Sequence, residues 1–509
     1  MRVSLIALLS LLVVANCFII MKDGYFYDND KGKSFIPRGI SYQTFVQDIG
    51  QWITYPQIEY DLREMRKANI NSVRVDFAWR DIESDGEGIY KWERFDFLVN
   101  ICEQYDMKML VLIGYQWPPN YFLGHPGQKA ANLSDGGWFS IHPPSPAPGL
   151  EVLPETYIFD EYWVSDVMSF THPKSIEKYC KFLAAVSGRY KNSKAITGWV
   201  VGNEYGFLGL WSFRFDGYEQ SSLDSFHKYL TDKYDNNIQE MNSIWKKDYK
   251  SFDAVMMPIT YDRDDPAWAD LVQWREDNVA NFIAQGVKAV RQADPNHLLT
   301  YSMVGMIFGG VDWMYQAEDN KKIAYACAAA GAPLAFWAIN NYPSSYPGNE
   351  LRTATFGIEY AKRTGLPTVY TETGSSSTDA GYIGFDDPED RQGKLLRNNA
   401  WEAYTSGIIG VHIFTWPDRD YITVREYGFG ILKRYREPKK SYQYMLELFY
   451  QVALIEQHLP KLFTSLHFAS YDVGFYWPST VDQMYNRYQN NMAGIWGPMT
   501  RLGLRCRFL

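Results

Sequence analysis

Two glutamates that each follow a short apolar run are the residues of this sequence best placed to do chemistry. Glu204 lies in GWVVGNEYG, Gly198–Gly206, and Glu372 lies in PTVYTETG, Pro367–Gly374. An apolar run bounded by glycine or proline predicts a buried strand, so each carboxylate lies where a strand leaves the core. A charge at such a place is costly unless it is paired or used. Two carboxylates that face each other can divide acid/base and nucleophilic work between them.

The order of elements along the chain predicts a (β/α)8 TIM barrel. Short β-rich runs alternate with helical stretches such as Ile176–Tyr190 and Trp268–Gln292, which is the pattern of a parallel sheet covered by helices. The predicted strands are Phe35–Ser41, Ser72–Phe77, Met109–Tyr115, Ile196–Gly202, Leu298–Met303, Leu334–Tyr342, Thr368–Thr371 and Gly410–Trp416. The active site of such a barrel lies at the C-terminal ends of its strands, where Glu204 and Glu372 fall.

Two insertions and a C-terminal extension enlarge the predicted barrel, which we assign to residues 18–460. The insertions Pro118–Pro173 and Phe207–Ala267 follow strands on the active-site side, and the second contains a helix pair. Long loops of this kind are usually functional or disordered, and their aromatic content favours function. Residues 461–509 predict an incomplete α/β segment. We expect it to pack poorly, because a lone β-α-β unit cannot bury both faces of its sheet.

The N-terminus predicts export from the cell. Residues 1–17 have a basic start, an apolar run and small residues before Cys17, which is the layout of a secretory signal peptide. A signal anchor is the alternative, because the apolar run approaches the length that spans a membrane. We expect a secreted protein with no stable membrane insertion after cleavage. The cysteines are widely spaced without a CxxC pair, so neither a zinc site nor a disulfide framework is indicated.

Composition and charge favour a neutral carbohydrate as the partner. Hydrophobic residues make up 46% of the chain, which indicates an ordered globular protein. The net charge of −9 disfavours nucleic acid and anionic membrane surfaces, which select basic faces. Aromatic residues make up 17% of the chain, and several fall in loops where flat rings could stack on sugars. We therefore expect an oligo- or polysaccharide substrate.

The two glutamate motifs resemble those of a known group of enzymes. GNEYG and YTETG, on the fourth and seventh strands, resemble the acid/base and nucleophile motifs of the retaining (β/α)8 glycosidases called clan A. The flanking segments YDLREMRKANINSVRVDFAW and SFHKYLTDKYDNNIQEMNSIW are similar to glycoside hydrolase family 42 β-galactosidases, with families 35 and 5 as neighbours. The resemblance covers roughly residues 35–459. It implies double displacement through a glycosyl-enzyme intermediate, with no metal or organic cofactor.

The resemblance also implies roles for four residues at strand ends. Glu204 would be the general acid/base and Glu372 the nucleophile. Asn203 would bind the 2-hydroxyl of the substrate. Arg74, in VRVDFAW on the second strand, would lie beside the nucleophile and keep it ionised. An ordinary ion pair inside the barrel is the alternative for Arg74.

Three further positions complete the predicted substrate site. Tyr342 ends the sixth strand, where the clan often places a residue that hydrogen-bonds the nucleophile. Trp416 ends the eighth, where an aromatic ring commonly floors the sugar subsite. For both residues, simple packing is the alternative. Glu426 lines up with a family 42 carboxylate that binds sugar hydroxyls, but the histidine usual three residues later is Phe429. This departure leaves the identity of the sugar open.

Three functions are consistent with these features. We expect a secreted β-glycosidase that removes terminal β-galactosyl or related units, and the bulky insertion 118–173 favours exo action. An endo-β-glycanase of the cellulase or mannanase type is the rival in the same class. A catalytically silent carbohydrate-binding surface protein is the rival from another class. Family 42 enzymes continue into a flavodoxin-like trimerisation domain, so the resemblance implies that residues 461–509 begin one. The oligomeric state is left open.

Overall fold

A computed structural model provides the fold of this chain. It describes residues 18–43, 45–46, 51–114, 118–123, 139–142, 163–205, 217–259, 265–304, 319–342, 354–377, 387–418, 428–465, 471–475, 495–496, 498–499, 502 and 504–508. The predicted signal segment 1–17 and the candidate residue Glu426 lie outside these ranges.

The eight predicted strands form one closed parallel barrel. Their bounds are Arg38–Ser41 (β1), Ser72–Asp76 (β2), Lys108–Ile113 (β3), Ile196–Asn203 (β4), Leu298–Val304 (β5), Trp337–Asn340 (β6), Thr368–Thr373 (β7) and Val411–Ile413 (β8). Each strand pairs with the next along the chain, and β8 closes the barrel by pairing with β1 at Val411 and Arg38. The predicted (β/α)8 fold class is confirmed.

The strands that carry the two glutamates are buried along their whole length. Every residue of β4 and β7 is buried, because helices cover one face and the barrel interior covers the other. Strands in that setting are near-continuous apolar runs without alternation, which explains the sequence of both motifs. Gly198 is needed on β4 because a Cβ there would lie 2.7 Å from the carbonyl oxygen of Leu298 on β5.

Helices cover the outside of the barrel. Their bounds are Tyr55–Lys67 (α1), Trp79–Ile82 (α2), Glu93–Gln104 (α3), Asn120–Leu123 (α4), Pro173–Tyr190 (α5), Gln220–Lys233 (α6), Ile238–Trp245 (α7), Pro266–Ala293 (α8), Asn320–Ala329 (α9), Ala354–Lys362 (α10), Pro388–Thr405 (α11), Lys440–His458 (α12) and Leu462–Ser465 (α13). Helices α1, α5, α8 and α11 each have a proline in the first turn, where its missing N–H costs nothing. Within the described ranges, no helix is both long enough and apolar enough to cross a membrane.

The two insertions differ in how much of them is described. In the second, the predicted helix pair is present as α6 and α7, followed by a 3-10 turn at Phe252–Ala254. In the first, α4 is followed by an antiparallel pair of strands, Phe139–His142 and Trp163–Met168. A further short pair, Phe45–Val46 with Gln51–Trp52, lies between β1 and α1.

An N-terminal antiparallel sheet packs against the barrel. Its strands are Ile19–Lys22, Tyr25–Asp28 and Lys33–Ser34. Phe26 makes an edge-to-face contact with Phe336, with ring centroids 5.1 Å apart. Both rings belong to a buried cluster with residues of β3, β4, β6 and β7. The sheet therefore shares its core with four barrel strands.

The C-terminal extension contains the predicted parallel strands but does not pack as expected. Val473–Phe475 pairs in parallel with Cys506–Phe508. Trp496, only 1% exposed, contacts Phe475 and also Phe356 of α10, with ring centroids 5.1 and 5.5 Å away. The expectation that this segment packs poorly is wrong, because its sheet gains a second layer by placing Trp496 against a barrel helix.

Candidate active site

Five of the seven predicted site residues meet at the C-terminal mouth of the barrel. They come from β2, β4 and β7 and from the positions just after β4 and β6: Arg74, Asn203, Glu372, Glu204 and Tyr342. Strand ends of one barrel converge on the same mouth, so residues far apart in sequence become neighbours. The structure thus brings the two glutamate motifs together around one arginine.

Arg74 of β2 joins the two motifs. One terminal nitrogen of its guanidinium lies 2.7 Å from Oε1 of Glu372, and the other donates to Oδ1 of Asn203 at 2.7 Å. Burial opposes the charge of Arg74, but the nearby carboxylates of Glu372, Asp76 and Glu204 outweigh it and raise the pKa of the guanidinium. The guanidinium thus holds both motifs, by an ion pair to Glu372 and a hydrogen bond to Asn203.

Tyr342 contacts the other oxygen of Glu372. Its hydroxyl donates to Oε2 at 2.6 Å. Both oxygens of this buried carboxylate therefore have a donor, Arg74 on one and Tyr342 on the other. A carboxylate held at both oxygens is fixed in orientation as well as in charge.

The backbone at Glu204 is held in an unusual conformation. Glu204 has φ +53°, in the left-handed region that costs a residue with a Cβ about 1 kcal/mol or more. Its N–H donates to Ser302 O at 2.8 Å, and the N–H of Tyr205 donates to the Tyr301 hydroxyl at 2.7 Å. Gly202 has φ +99°, and a Cβ there would lie 2.2 Å from the Tyr205 ring. Gly202 and Tyr205, which flank Asn203 and Glu204, thus determine the backbone turn that orients Glu204.

Asn340 is a site residue that the sequence reasoning missed. It ends β6, and its amide nitrogen donates to Asn203 Oδ1 at 2.9 Å and to Glu204 Oε1 at 2.8 Å. In the sheet register it pairs with Glu372 on β7. Asn340 therefore contacts one glutamate through its side chain and neighbours the other in the sheet. The signal available in the sequence was its place near the end of the predicted strand Leu334–Tyr342.

A neutral histidine lies next to this group. His412 of β8 accepts or donates a hydrogen bond with Ser72 Oγ at 2.9 Å, and Gly39 of β1 lies flat against its ring. Burial, reinforced by the charge of Arg74, lowers the pKa of His412 to about 4, although its contact with the Tyr370 carbonyl opposes the shift. Arg74 therefore carries the positive charge at this place without a second cation beside it.

Three aromatic rings form a buried cluster beside the nucleophile candidate. Tyr342, Phe414 and Phe429 pack edge to face, with ring centroids 6.0 to 6.3 Å apart. Phe429 is the residue found where family 42 usually has histidine. This cluster puts apolar surface beside Glu372, where ionic interactions are stronger than in water.

A buried lysine holds the segment that carries Phe429. The amine of Lys439 donates to the carbonyl oxygens of Gly428 and Gly430, at 3.1 and 2.8 Å, and contacts Asp418 Oδ1 at 2.6 Å. Burial lowers the pKa of Lys439, although Asp418 opposes that shift. The segment after β8 is thereby fixed from both sides of the phenylalanine.

Two predicted site residues do not join this group in the structure. Trp416 is fully buried, its indole N–H donates to Asp61 of α1 at 3.1 Å, and its ring packs edge to face on Tyr442 of α12. The prediction that Trp416 floors the sugar subsite is therefore corrected: it is a packing residue, because no face of its ring is open to a sugar. Glu426 lies outside the described residues.

No metal centre is found in the part of the chain that the structure describes. No group of three or more histidine, cysteine, aspartate or glutamate side chains there is arranged to hold an ion. The described site contains two carboxylates, an arginine, two amides and a tyrosine.

A closed (β/α)8 barrel with a pair of glutamates at the ends of β4 and β7 defines the class of barrel glycoside hydrolases. Comparison with known families narrows this class. The family model described as beta-galactosidase matches residues 163–454, and the chain belongs to glycoside hydrolase family 42. That range contains Asn203, Glu204, Asn340 and Glu372.

Three proteins to which this chain is similar are distant in sequence, and the chain covers only part of each. A beta-galactosidase of Geobacillus kaustophilus is 21% identical over 377 residues, which is 70% of this chain and 47% of that protein. The chain thus spans about half the length of this curated relative. The crystal structure of a beta-galactosidase from Marinomonas ef1 has a TM-score of 0.67 at 18% identity, covering 92% of this chain and 69% of that one. An exo-beta-1,4-mannosidase from Opitutaceae bacterium strain TAV5 has a TM-score of 0.58 at 13% identity, covering 96% and 72%. At these identities, the structural similarity shows the fold.

Proposed function

We propose that this protein is a retaining β-glycosidase that removes terminal β-galactosyl units. The observation that carries the proposal is the different environment of the two glutamates. Glu372 receives donors at both oxygens, from Arg74 and Tyr342. Glu204 receives a neutral amide from Asn340. A carboxylate held at both oxygens suits a nucleophile, and a carboxyl that accepts from a neutral amide can exchange a proton.

In the first half of the reaction, a carboxylate oxygen of Glu372 attacks the anomeric carbon of the bound sugar. The glycosidic bond breaks, and Glu204 gives its proton to the departing oxygen. The electron pair of the broken bond leaves with the aglycone, which departs as an alcohol. Arg74 and Tyr342 hold Glu372 in orientation before the attack, through one oxygen each.

In the second half, water releases the sugar from Glu372. Glu204, now ionised, takes a proton from the water as its oxygen attacks the anomeric carbon. The bond to Glu372 breaks, and both carboxyl groups return to their starting states. Two inversions at one carbon retain its configuration. Asn203 is fixed by Arg74 and Asn340 on its oxygen, so its amide nitrogen faces away from them, as required of a donor to the sugar.

Family membership supports the galactosyl preference, and the relatives named above include beta-galactosidases. The similarity to an exo-beta-1,4-mannosidase keeps a mannosyl unit as the specific rival.

We also propose that the protein is secreted, on the layout of residues 1–17. Expression in a secreting host followed by N-terminal sequencing of protein from the medium tests that proposal. Protein that stays in the cell with residues 1–17 attached would contradict it.

The test of the function is a panel of nitrophenyl β-glycosides with matched glutamate variants. We expect the β-galactoside to be hydrolysed faster than the β-glucoside and the β-mannoside, and NMR to show the β-anomer of the sugar as the first product. Glu204→Gln and Glu372→Gln keep size and remove the ionisable groups, so both should lose most of the rate. An α-anomer as first product would overturn retention. If the protein cleaves inside a β-glucan or β-mannan chain faster than it cleaves any aryl-glycoside, the endo-glycanase is favoured. If it cleaves no substrate, the catalytically silent binding protein is favoured.

A further inference from the structure

All the hydrogen-bonding atoms of the Asn340 amide are engaged in the site. Its nitrogen donates to Asn203 Oδ1 and Glu204 Oε1, and its oxygen lies 2.9 Å from Ser302 Oγ and 2.8 Å from Thr371 Oγ1. The two acceptors at the nitrogen fix which way the amide points, because Asn203 Oδ1 already accepts from Arg74. The two hydroxyls then meet the amide oxygen. Asn340 therefore has one orientation, in which it offers an N–H to Glu204.

The same neighbours also hold the backbone of Glu204. Ser302 accepts the Glu204 N–H through its carbonyl oxygen, and its hydroxyl bonds Asn340. The backbone and the side chain of Glu204 are thus tied to one residue of β5, directly and through Asn340. Such a double attachment fixes the carboxyl in space, as a proton donor must be fixed relative to the leaving oxygen.

We propose that Asn340 is the positioning residue of the acid/base: its amide N–H donates to Oε1 of Glu204 and holds the carboxyl in the orientation from which it gives its proton to the leaving group. The inference rests on the proposed function and adds a residue to it. A neutral donor also stabilises the ionised form of Glu204 only modestly. Glu204 can then hold its proton in the first half of the reaction and lose it in the second.

The charged and titratable groups that face Glu204 in the described site come from several elements. Arg74 of β2 and Glu372 of β7 lie within its electrostatic reach, with Tyr342 after β6. Tyr301 of β5 contacts the adjacent backbone. Asn340 is a neutral residue in direct contact with Glu204, at 2.8 Å. A charge placed at position 340 therefore acts on Glu204 at contact distance.

The test is the titration of Glu204 in protein labelled with 13C at glutamate side-chain carboxyls, with the resonance assigned by its absence in Glu204→Gln. Asn340→Asp keeps the shape of the side chain and adds a carboxylate against Oε1. We expect the titration midpoint of Glu204 to rise by about one pH unit or more, because two adjacent carboxylates resist losing their last proton. Asn340→Ala removes the donor and should give a smaller rise, and it serves if the first variant does not fold.

Asn341→Asp is the matched control. Asn341 is also a buried amide, but its nitrogen donates to the Tyr370 hydroxyl and it packs beside Gly357 of α10. We expect this variant to lose stability and to leave the Glu204 midpoint unchanged. Equal shifts in both variants, or no shift with Asn340→Asp, would refute the positioning role.

Kinetics separate this inference from the proposed function. In an active enzyme, the alkaline limb of kcat/KM should follow the NMR midpoint upward in Asn340→Asp, and Asn340→Ala should lose more rate with an alkyl leaving group than with dinitrophenolate. A wild-type protein that cleaves no glycoside would end the proposed function, while the NMR titration would still decide whether Asn340 controls Glu204. If the enzyme is active but neither the Glu204 titration midpoint nor the alkaline limb of kcat/KM changes in the Asn340 variants, the inference is refuted and the proposed function stands.

Discussion

Glu204 and Glu372 are the same residue type, and their neighbours give them different properties. Arg74 contacts Glu372 directly, at 2.7 Å, and contacts the other motif at Asn203, also at 2.7 Å. Under the proposed function, the ion pair at Glu372 and the amide contact at Glu204 assign the nucleophile to Glu372 and the acid to Glu204. Exchanging the two roles would therefore require moving the arginine.

Replacing Glu372 with alanine is expected to abolish turnover for every leaving group. The glycosyl-enzyme cannot form without this carboxylate. Azide should restore partial activity, because a small anion can occupy the space and attack the sugar directly, giving a glycosyl azide of inverted configuration. The measurement is the rate of nitrophenol release with and without azide, with NMR of the product. Wild-type turnover by the variant would show that the nucleophile lies elsewhere.

Replacing Glu204 with alanine is expected to act through the leaving group. General acid catalysis contributes typically about 10² to 10⁴-fold, and it matters most where the departing oxygen is strongly basic. Dinitrophenyl glycosides should still glycosylate the variant and accumulate the intermediate, whereas oligosaccharides should be cleaved hardly at all. Burst kinetics and mass spectrometry of the intact protein follow the intermediate. A uniform loss for all leaving groups would contradict the assignment of Glu204 as the acid.

His412 is expected to weaken the fold in acid. Burial lowers its pKa in the folded protein to about 4 from 6.5. Between pH 6.5 and about 4, His412 of the unfolded chain therefore binds a proton that His412 of the folded protein does not bind. The resulting stability is fully present above pH 6.5 and is lost as the pH falls through 4, a difference of about 3 kcal/mol. In His412→Asn, denaturant unfolding should show a smaller loss of stability over this window, and an unchanged slope would contradict the prediction.

At the scale of elements, the sequence predicted every barrel strand and five of the residues at its mouth. Apolar runs such as ITGWVVGN carry the strand signal by themselves. The contacts of Trp416 could not be predicted, because they depend on where α1 places Asp61, 355 residues earlier in the chain. Asn340 was missed for a related reason. An amide at a strand end has no distinguishing signal in the sequence. Its function becomes visible only when the fold brings it into contact with Glu204 and pairs it with Glu372 in the sheet register.

The segment after β8 depends on one buried ion pair. Lys439 holds Gly428 and Gly430 and is paired with Asp418. Lys439→Met should lower the free energy of unfolding by about 3 kcal/mol, because it leaves the partner charge uncompensated. Adding Asp418→Asn should recover part of that loss, which urea unfolding of the single and double variants would measure. Additive losses in the double variant would show that the two residues act independently.

At the scale of the whole molecule, the C-terminal extension should stabilise the barrel. Trp496 fills a buried position against Phe356, and its indole N–H donates to Thr355 Oγ1 at 3.2 Å. Trp496→Ala should cost about 3 to 5 kcal/mol and lower the melting temperature. Initial rates well below that temperature should stay close to wild type, because Trp496 packs on helix α10, outside the strands that carry the two glutamates. Leu502→Ala is the control, since Leu502 is exposed, and it should leave the melting temperature unchanged. If Trp496→Ala also leaves it unchanged, the extension does not stabilise the barrel.

Closing the barrel joins the two ends of its chain. β8 pairs with β1, as Val411 with Arg38, and the N-terminal sheet shares its core with strands as distant as β7. During synthesis at 5 to 20 residues per second, β1 waits on the order of tens of seconds for this partner to emerge. For that time the edges of β1 and of each newest strand are open templates for pairing with other chains. Chaperones that cover such edges on the ribosome should therefore raise the yield of folded protein more than chaperones that act after release.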